Sequence, residues 1–115
     1  LTPYPMKDFA MSVNLRDEEE AIKQYEHYHA HPWPEVIKSL KQVGILDMKI
    51  YRLGRRLFMF MQTEDDFDPD VDFPKYLTLD ERCQEWEDLM GTFQEPLPEA
   101  GPGEKWVRMK KVFQL

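Results

Sequence analysis

The sequence predicts an α+β protein with a ferredoxin-like, split βαβ architecture. Two patterns indicate it: apolar residues alternate with small or polar residues in some segments, and they recur at helical spacing in the segments between. Along the chain these patterns give the order strand, helix pair, strand, strand, helix, strand. We therefore expect residues 1–115 to form one domain, with helices on one face of a four-stranded antiparallel sheet.

The first strand and the helix pair are predicted over residues 9–44. Alternate positions of the strand are apolar: Phe9, Met11, Val13 and Leu15. An acidic turn follows, which suits the positive end of a helix. Pro32 and Pro34 must end this helix near Ala30, because proline lacks an amide proton and restricts the residue before it. Pro34 fits the first position of a second helix, which Gly44 ends.

A β-hairpin is predicted over residues 45–64, with GRR at its turn and LFMFMQTE as its second strand. Because this second strand is apolar on both faces, we expect it to be central in the sheet or covered by a second subunit. A further helix from Asp80 to Met90, with Gly91 as its stop, and a last strand over residues 107–113 complete the order. The open face of the sheet needs a cover, and a second copy of the chain is the simplest one.

Two segments are predicted to be loops. The segment EDDFDPDVDFP at residues 64–74 is acidic and alternating, but it lacks the glycine and the closing glutamate of a calcium-binding loop. A solvated loop is the better interpretation. The segment QEPLPEAGPGE at residues 94–104 is rich in proline and glycine, and it is predicted to be a loop or tether.

Charge and cysteine content narrow the classes of partner and compartment. The net charge of -7 has the wrong sign for contacts to nucleic acid or to an anionic membrane surface. The single cysteine, Cys83, cannot form an internal disulfide, which favours the reducing cytoplasm. The longest apolar run, residues 57–61, is far too short to span a bilayer, and the first residues lack the pattern of a signal peptide.

The stretch YEHYHAHPWPE at residues 25–35 holds all three histidines of the chain. On a strand they would share one face and could bind a metal, but the pattern here predicts a helix. Residues two apart on a helix point in nearly opposite directions, so His29 diverges from His27 and His31. Tyr25 and His29, four apart, share a face. We therefore expect no metal site, with His29 either a packed structural histidine or an acid/base group.

The aromatic residues near His29 favour the functional interpretation. A phenol one helical turn away and the indole of Trp33 or Trp86 would form a pocket for a small polyhydroxylated ligand. The apolar faces of a sugar lie on aromatic rings, while its hydroxyls meet a few convergent polar groups. Trp86 fits the core of the protein equally well.

From Phe9 onward the chain resembles the L-rhamnose mutarotases and the related L-fucose mutarotases. The motifs that carry the resemblance are F-x-M-x-V at 9–13, Y-x-x-x-H-x-x-x-W-P-E at 25–35, Gly44, I-Y at 50–51, C-Q-x-W at 83–86 and V-F at 112–113. Each motif alone is weak, but their combination is specific. Family proteins begin a few residues before the first motif, so Met6 is expected to match their start and residues 1–5 to be an N-terminal extension.

The resemblance implies a dimeric α+β barrel that interconverts the α and β anomers of a 6-deoxy-L-hexose without metal or cofactor. It implies that His29 is the proton donor and Tyr25 a substrate-binding residue. Two other substrate positions differ from the rhamnose mutarotases. Met48 replaces a tyrosine, and Trp86 is followed by Glu87 instead of a second tryptophan. These departures favour L-fucose over L-rhamnose.

Mutarotation agrees with the residues present. The reaction removes a proton from the anomeric hydroxyl and delivers one to the ring oxygen, and an imidazole with a pKa of about 6.5 exchanges protons near neutrality. We expect His29 to donate to the ring oxygen and Tyr25 to orient the sugar or relay the proton. Trp86 is expected to stack on a sugar face, and Glu87 to bind a hydroxyl or act as the partner base.

Two alternative functions remain open from the sequence. One is a non-catalytic sugar-binding or regulatory module, which would bind L-fucose or L-rhamnose without accelerating anomer exchange. The other is a small monooxygenase or haem-degrading enzyme, because the dimeric ferredoxin-like scaffold hosts unrelated chemistries.

Overall fold

The computed structural model describes residues 6–115, so the predicted extension at residues 1–5 lies outside the described residues. The strands and helices follow the predicted order, with one additional helix and one additional short strand. Their bounds are β1 Met6–Leu15, α1 Glu19–Ala30, α2 Pro34–Gln42, β2 Ile45–Leu53, β3 Arg56–Glu64, α3 Pro69–Leu79, α4 Glu81–Gly91, β4 Gln94–Glu95 and β5 Val107–Arg108.

The strands form one antiparallel sheet in the order β2-β3-β1-β4, which is the order of a split βαβ fold. The prediction of a ferredoxin-like α+β fold is confirmed. β3 is central as predicted, and its register with β1 runs from Met6 opposite Glu64 to Asn14 opposite Arg56. β4 and β5 pair with successive stretches of the same edge of β1. Together they occupy the position of one edge strand, and residues 96–106 connect its two parts.

The core lies between the sheet and the helices. Alternate residues of β1 and β3 point to the helical layer and are buried: Met11, Val13, Leu15, Leu57, Met59 and Met61. Full burial of each such side chain contributes ~1.5–3 kcal/mol to folding. Gly44 connects the helix pair to β2 with a φ of 104°, which glycine adopts without strain. The helices are thereby held against one face of the sheet.

The loop predicted over residues 64–74 is wrong from residue 69 onward, because residues 69–79 form α3, whereas residues 65–68 are a turn and irregular backbone. The carboxylate of Asp68 caps this helix by accepting a 3.0 Å hydrogen bond from the Asp70 amide, and Pro69 occupies the first turn. Phe67, just before the cap, is only 1% exposed and packs edge-on against Phe9 and Phe73. The aspartates that suggested a loop therefore form the polar start of a helix that a buried aromatic residue anchors.

Three smaller differences concern the ends of elements. Gly91 is the last residue of α4 and Thr92 caps it, so the glycine does not follow the helix as predicted. The segment predicted as a loop contains β4, which pairs with the end of β1. The predicted last strand is only the two residues of β5, because Val112 and Phe113 are 86% and 75% exposed and pack little against the chain.

The face of the sheet away from the helices carries an aromatic and aliphatic patch. Tyr51 contacts Phe58 of the neighbouring strand, with 6.3 Å between ring centroids, and Leu53 is 85% exposed. A patch of this kind is typical of a surface that binds a partner. In the part of the chain that the structure describes, no helix is long and apolar enough to span a membrane.

The buried position of Phe67 leads to a stability prediction. Replacing it with alanine removes a fully buried ring between two phenylalanines, which should lower the free energy of unfolding by about 3–5 kcal/mol. Val71→Ala, on α3 at a position that is 61% exposed, is the control and should change it by less than about 0.5 kcal/mol. Urea unfolding followed by circular dichroism measures both. Equal effects of the two variants would show that Phe67 does not anchor α3.

Candidate active site

A cavity of about 730 Å³ lies between the helices and the sheet. Its size falls within the range of ~300–1,000 Å³ typical of small-molecule sites. The residues predicted from the sequence to form the site all line it: Tyr25, His29, Met48, Trp86 and Glu87. They come from α1, β2 and α4, so the fold brings together three separate parts of the chain.

Helix α1 places Tyr25 and His29 on one face, as their spacing predicts. Their rings are stacked, with centroids 4.2 Å apart and an interplanar angle of 27°. His29 Nδ1 lies 2.9 Å from the backbone carbonyl oxygen of Tyr25. Because a carbonyl oxygen only accepts, Nδ1 carries the proton and Nε2 is left with its lone pair. The neutral imidazole therefore offers an acceptor nitrogen to a ligand in the cavity.

The protonation state of His29 follows from its burial. Loss of solvent disfavours the charged imidazolium and lowers the pKa of His29, and the hydrogen bond to the Tyr25 carbonyl opposes this in part. A lowered pKa keeps the ring neutral at neutral pH. A neutral imidazole can accept a proton.

Trp86 is fixed by aromatic contacts on several sides. Its ring meets His29 edge-on at 5.3 Å and Trp33 at 5.1 Å, and Tyr28 also packs against it at 6.3 Å. The guanidinium of Arg82 lies 3.7 Å from the centre of the Trp33 ring, in cation–π geometry. Trp86 therefore serves as core and as cavity wall at once, and it holds the imidazole in place.

The polar residues that line the cavity include Tyr25 and Glu87. Burial raises the pKa of Tyr25 far above its usual range, the Glu87 carboxylate raises it further, and a hydrogen bond with Gln94 opposes both. The phenol therefore stays protonated and can donate. Oε1 of Glu87 lies 3.7 Å from Nζ of Lys105, which lies in the segment between β4 and β5.

Several cavity residues were missed by the sequence analysis. They lie in the two segments interpreted as loops or at their ends: Asp70, Phe73, Tyr76, Gln94, Lys105 and Trp106. The spacing of Phe73, Tyr76 and Leu77 is helical and could have revealed the first of these segments. The second segment has no regular pattern, so only the tertiary structure shows that it lines the cavity.

The other two histidines lie outside the cavity. His27 and His31 are exposed, with ring centroids 4.9 Å apart at the end of α1. His29 points away from both, as the helical spacing predicts. Residues 6–115 contain no group of three or more histidine, cysteine or carboxylate side chains placed to hold a metal ion.

Comparison with known proteins identifies the family. The family model described as L-rhamnose mutarotase matches residues 8–115. The chain belongs to this family. The resemblance inferred from the motifs is confirmed, and this mutarotase family consists of isomerases that act on sugars. This membership favours isomerase chemistry over the monooxygenase alternative.

Individual relatives agree with this assignment. The chain is 40% identical over 112 residues to an L-fucose mutarotase of Xanthomonas campestris pv. campestris, covering 96% of this chain and 89% of the relative. It is also 40% identical over 112 residues to a UPF0734 protein of Dictyostelium discoideum, covering 95% and 90% of the two chains. The crystal structure of an L-rhamnose mutarotase from Formosa agariphila has the same fold, with a TM-score of 0.69 and 21% sequence identity. The match covers 95% of this chain and 98% of that chain.

Proposed function

We propose that this member of the family is a cofactor-independent mutarotase that interconverts the α and β anomers of a 6-deoxy-L-hexopyranose. The observation that carries the proposal is the neutral imidazole of His29 on the wall of a sugar-sized cavity, with its Nδ1 bonded to the Tyr25 carbonyl. L-Fucose is the preferred substrate and L-rhamnose the second. The 40% identical L-fucose mutarotase supports this order, and so do Met48 and Glu87 at the two departing positions.

The proposed reaction needs one proton to move between two oxygens on the same carbon. Nε2 of His29 accepts the proton of the anomeric hydroxyl, and the resulting imidazolium delivers a proton to the ring oxygen as its bond to C1 breaks. The open-chain aldehyde rotates about its C1–C2 bond, and the reverse proton transfers close the ring on the other face of the carbonyl. Such general acid–base catalysis contributes ~10²- to 10⁴-fold.

The remaining site residues hold the sugar in this mechanism. The phenol of Tyr25, whose raised pKa keeps it protonated, donates a hydrogen bond and orients the ring. Trp86 offers an apolar wall to a sugar face. Glu87 accepts from a ring hydroxyl or acts as a second base. Met48 contributes an apolar thioether where a phenol stands in rhamnose mutarotases, which changes the set of hydroxyls that the cavity can bind.

We propose that the protein works as a homodimer in the cytoplasm. The open face of the sheet exposes Tyr51 and Leu53, and Phe113 extends from the end of the chain with 75% of its surface exposed. A second copy would cover these apolar side chains, and stable dimers bury ~1,200–2,000 Å² in total. The cytoplasmic location is proposed because Cys83 is a buried free thiol, which a reducing compartment preserves.

The dimer proposal predicts the effect of a charge on the open face. Leu53→Glu should convert a particle of twice the 13.8 kDa chain mass into a monomer, because an unpaired carboxylate would be buried in the interface. Light scattering after gel filtration measures the mass. Val71→Glu adds the same charge at an exposed position of α3, on the helical side of the sheet. It is the control and should leave the dimer intact. A wild-type protein that is monomeric at micromolar concentration would refute the proposal.

The proposed function predicts the effect of removing the imidazole. His29→Gln should slow the enzymatic exchange of L-fucose anomers by about 10²- to 10⁴-fold, because the glutamine amide is too weak a base to accept the anomeric proton. Saturation-transfer NMR measures the exchange rate directly. His27→Gln, which changes an exposed histidine on the same helix, should retain the wild-type rate.

The same experiment separates catalysis from mere binding. A folded His29→Gln protein that exchanges anomers at the wild-type rate would remove His29 from the mechanism. A wild-type protein that binds the sugars without accelerating their exchange would be a sugar-binding module, and the proposed enzymatic function would be wrong.

A further inference from the structure

Helix α3 forms one wall of the cavity through a regular stripe of residues. Pro69, Phe73, Tyr76 and Leu77 line the cavity and recur at the three- and four-residue spacing of one helical face. Phe73 and Leu77 are apolar, so the hydroxyl of Tyr76 is the polar feature of the buried part of this wall. Tyr76 is 5% exposed, which is low for a residue with a phenolic hydroxyl.

The hydroxyl of Tyr76 has a weak protein partner. The side chain that interacts with it is the thiol of Cys83, which is fully buried on α4 and contributes to the raised pKa of Tyr76. Sulfur is a weak hydrogen-bonding group compared with oxygen, and buried phenols ordinarily find a stronger partner. The hydroxyl therefore retains the capacity for a strong hydrogen bond to a ligand in the cavity.

A carboxylate of the same cavity acts on both of its buried phenols. Burial raises the pKa of Tyr76 far above its usual range, and the thiol of Cys83 and the carboxylate of Glu87 raise it further. Glu87 has the same influence on Tyr25, so its charge lies within electrostatic reach of both hydroxyls. The cavity thus presents a carboxylate acceptor together with phenol donors from two different helices, α1 and α3.

We propose that Tyr76 contacts the sugar and determines specificity, donating a hydrogen bond to a ring hydroxyl other than the anomeric one. The same hydroxyl donates its own hydrogen to Glu87, so it forms one hydrogen bond with a donor of the protein and one with an acceptor. This inference rests on the proposed function and deepens it. His29 acts at the anomeric carbon, whereas Tyr76 and Glu87 distinguish sugars by the configuration of a hydroxyl elsewhere on the ring.

This arrangement explains how the cavity can recognise a polyhydroxylated ligand with a methionine at position 48. Met48 and Ile50 present apolar side chains from β2, so β2 offers no side-chain donor to the cavity at these two positions, and the helices supply the phenols of Tyr25 and Tyr76. L-Fucose and L-rhamnose differ in configuration at two ring carbons. A fixed donor and acceptor pair fits the hydroxyl of one sugar and leaves both groups without a partner when the other sugar binds, which gives strong discrimination.

The test compares Tyr76→Phe with the wild type for L-fucose and L-rhamnose. Affinity is measured by tryptophan fluorescence, since Trp86 lines the cavity, and anomer exchange by saturation-transfer NMR. Loss of one hydrogen bond should weaken binding of the preferred sugar by roughly 2- to 12-fold. The ratio of kcat/KM for the two sugars should shrink by a similar factor, while kcat for the preferred sugar changes less than twofold.

Two control variants separate a ligand contact from a structural role. Tyr28→Phe removes a phenol hydroxyl that packs beside Trp86 and Phe93 but lies outside the cavity lining, and it should leave affinity and specificity unchanged. Cys83→Ala removes the thiol partner of Tyr76 while keeping the phenol, and it should also preserve specificity. The double variant Tyr76→Phe with Glu87→Gln should be less than additive, because both groups bind one hydroxyl.

The outcomes distinguish this inference from the proposed function. Unchanged affinity and specificity in Tyr76→Phe, or the same change in Cys83→Ala, would overturn the role of Tyr76. A wild-type protein that binds without exchange would refute the mutarotase function, while the affinity of Tyr76→Phe would still decide the contact. A wild-type protein that binds neither sugar would overturn both.

Discussion

The hydrogen bond between His29 Nδ1 and the Tyr25 carbonyl, 2.9 Å long, is the interaction on which the site depends. In a helix this carbonyl already accepts the backbone amide of residue 29, and its second lone pair is free for the imidazole. The bond fixes the tautomer, so the nitrogen with the lone pair is the one offered to the cavity. Because burial also lowers the pKa of His29, the ring rests in its neutral form and is ready to accept a proton.

The geometry of this imidazole is maintained by a chain of aromatic contacts. Arg82 covers Trp33, Trp33 packs against Trp86, and Trp86 meets the edge of His29. The ring of Tyr25 also stacks on the imidazole. Each contact is modest in energy, about 0.5–1.5 kcal/mol for an aromatic pair, but together they leave the imidazole few alternative positions. These contacts therefore hold the imidazole in a defined orientation, which the proposed proton transfer requires.

Local spacing explains which parts could be predicted from sequence. The four-residue separation of Tyr25 and His29 is enough to place them on one face. The apolar residues on both faces of β3 predicted a strand that is central or covered by a second subunit, and the structure places it between β2 and β1. The helix α3 was missed because Asp68 and Asp70 suggest a solvated loop, whereas the decisive residue is Phe67, whose burial no local pattern reveals. Lys105 and Gln94 reach the cavity only through pairing of β4 and β5 with β1, a long-range property. Tyr76 was not predicted as a cavity residue because its helix, α3, was not predicted.

In the proposed mechanism, neutral His29 exchanges the proton with the sugar. The direct test is to compare its pKa, from the NMR titration of its ring Cε1 proton assigned with His29→Gln, with the pH profile of kcat/KM for anomer exchange. A group whose pKa is lowered stays neutral above the ordinary value of about 6.5 and is protonated only at lower pH. We predict a plateau at neutral pH and a loss of activity on the acid side, with a midpoint below 6.5 that coincides with the NMR value. Activity that rises on acidification through that midpoint, or that ignores it, would contradict the account.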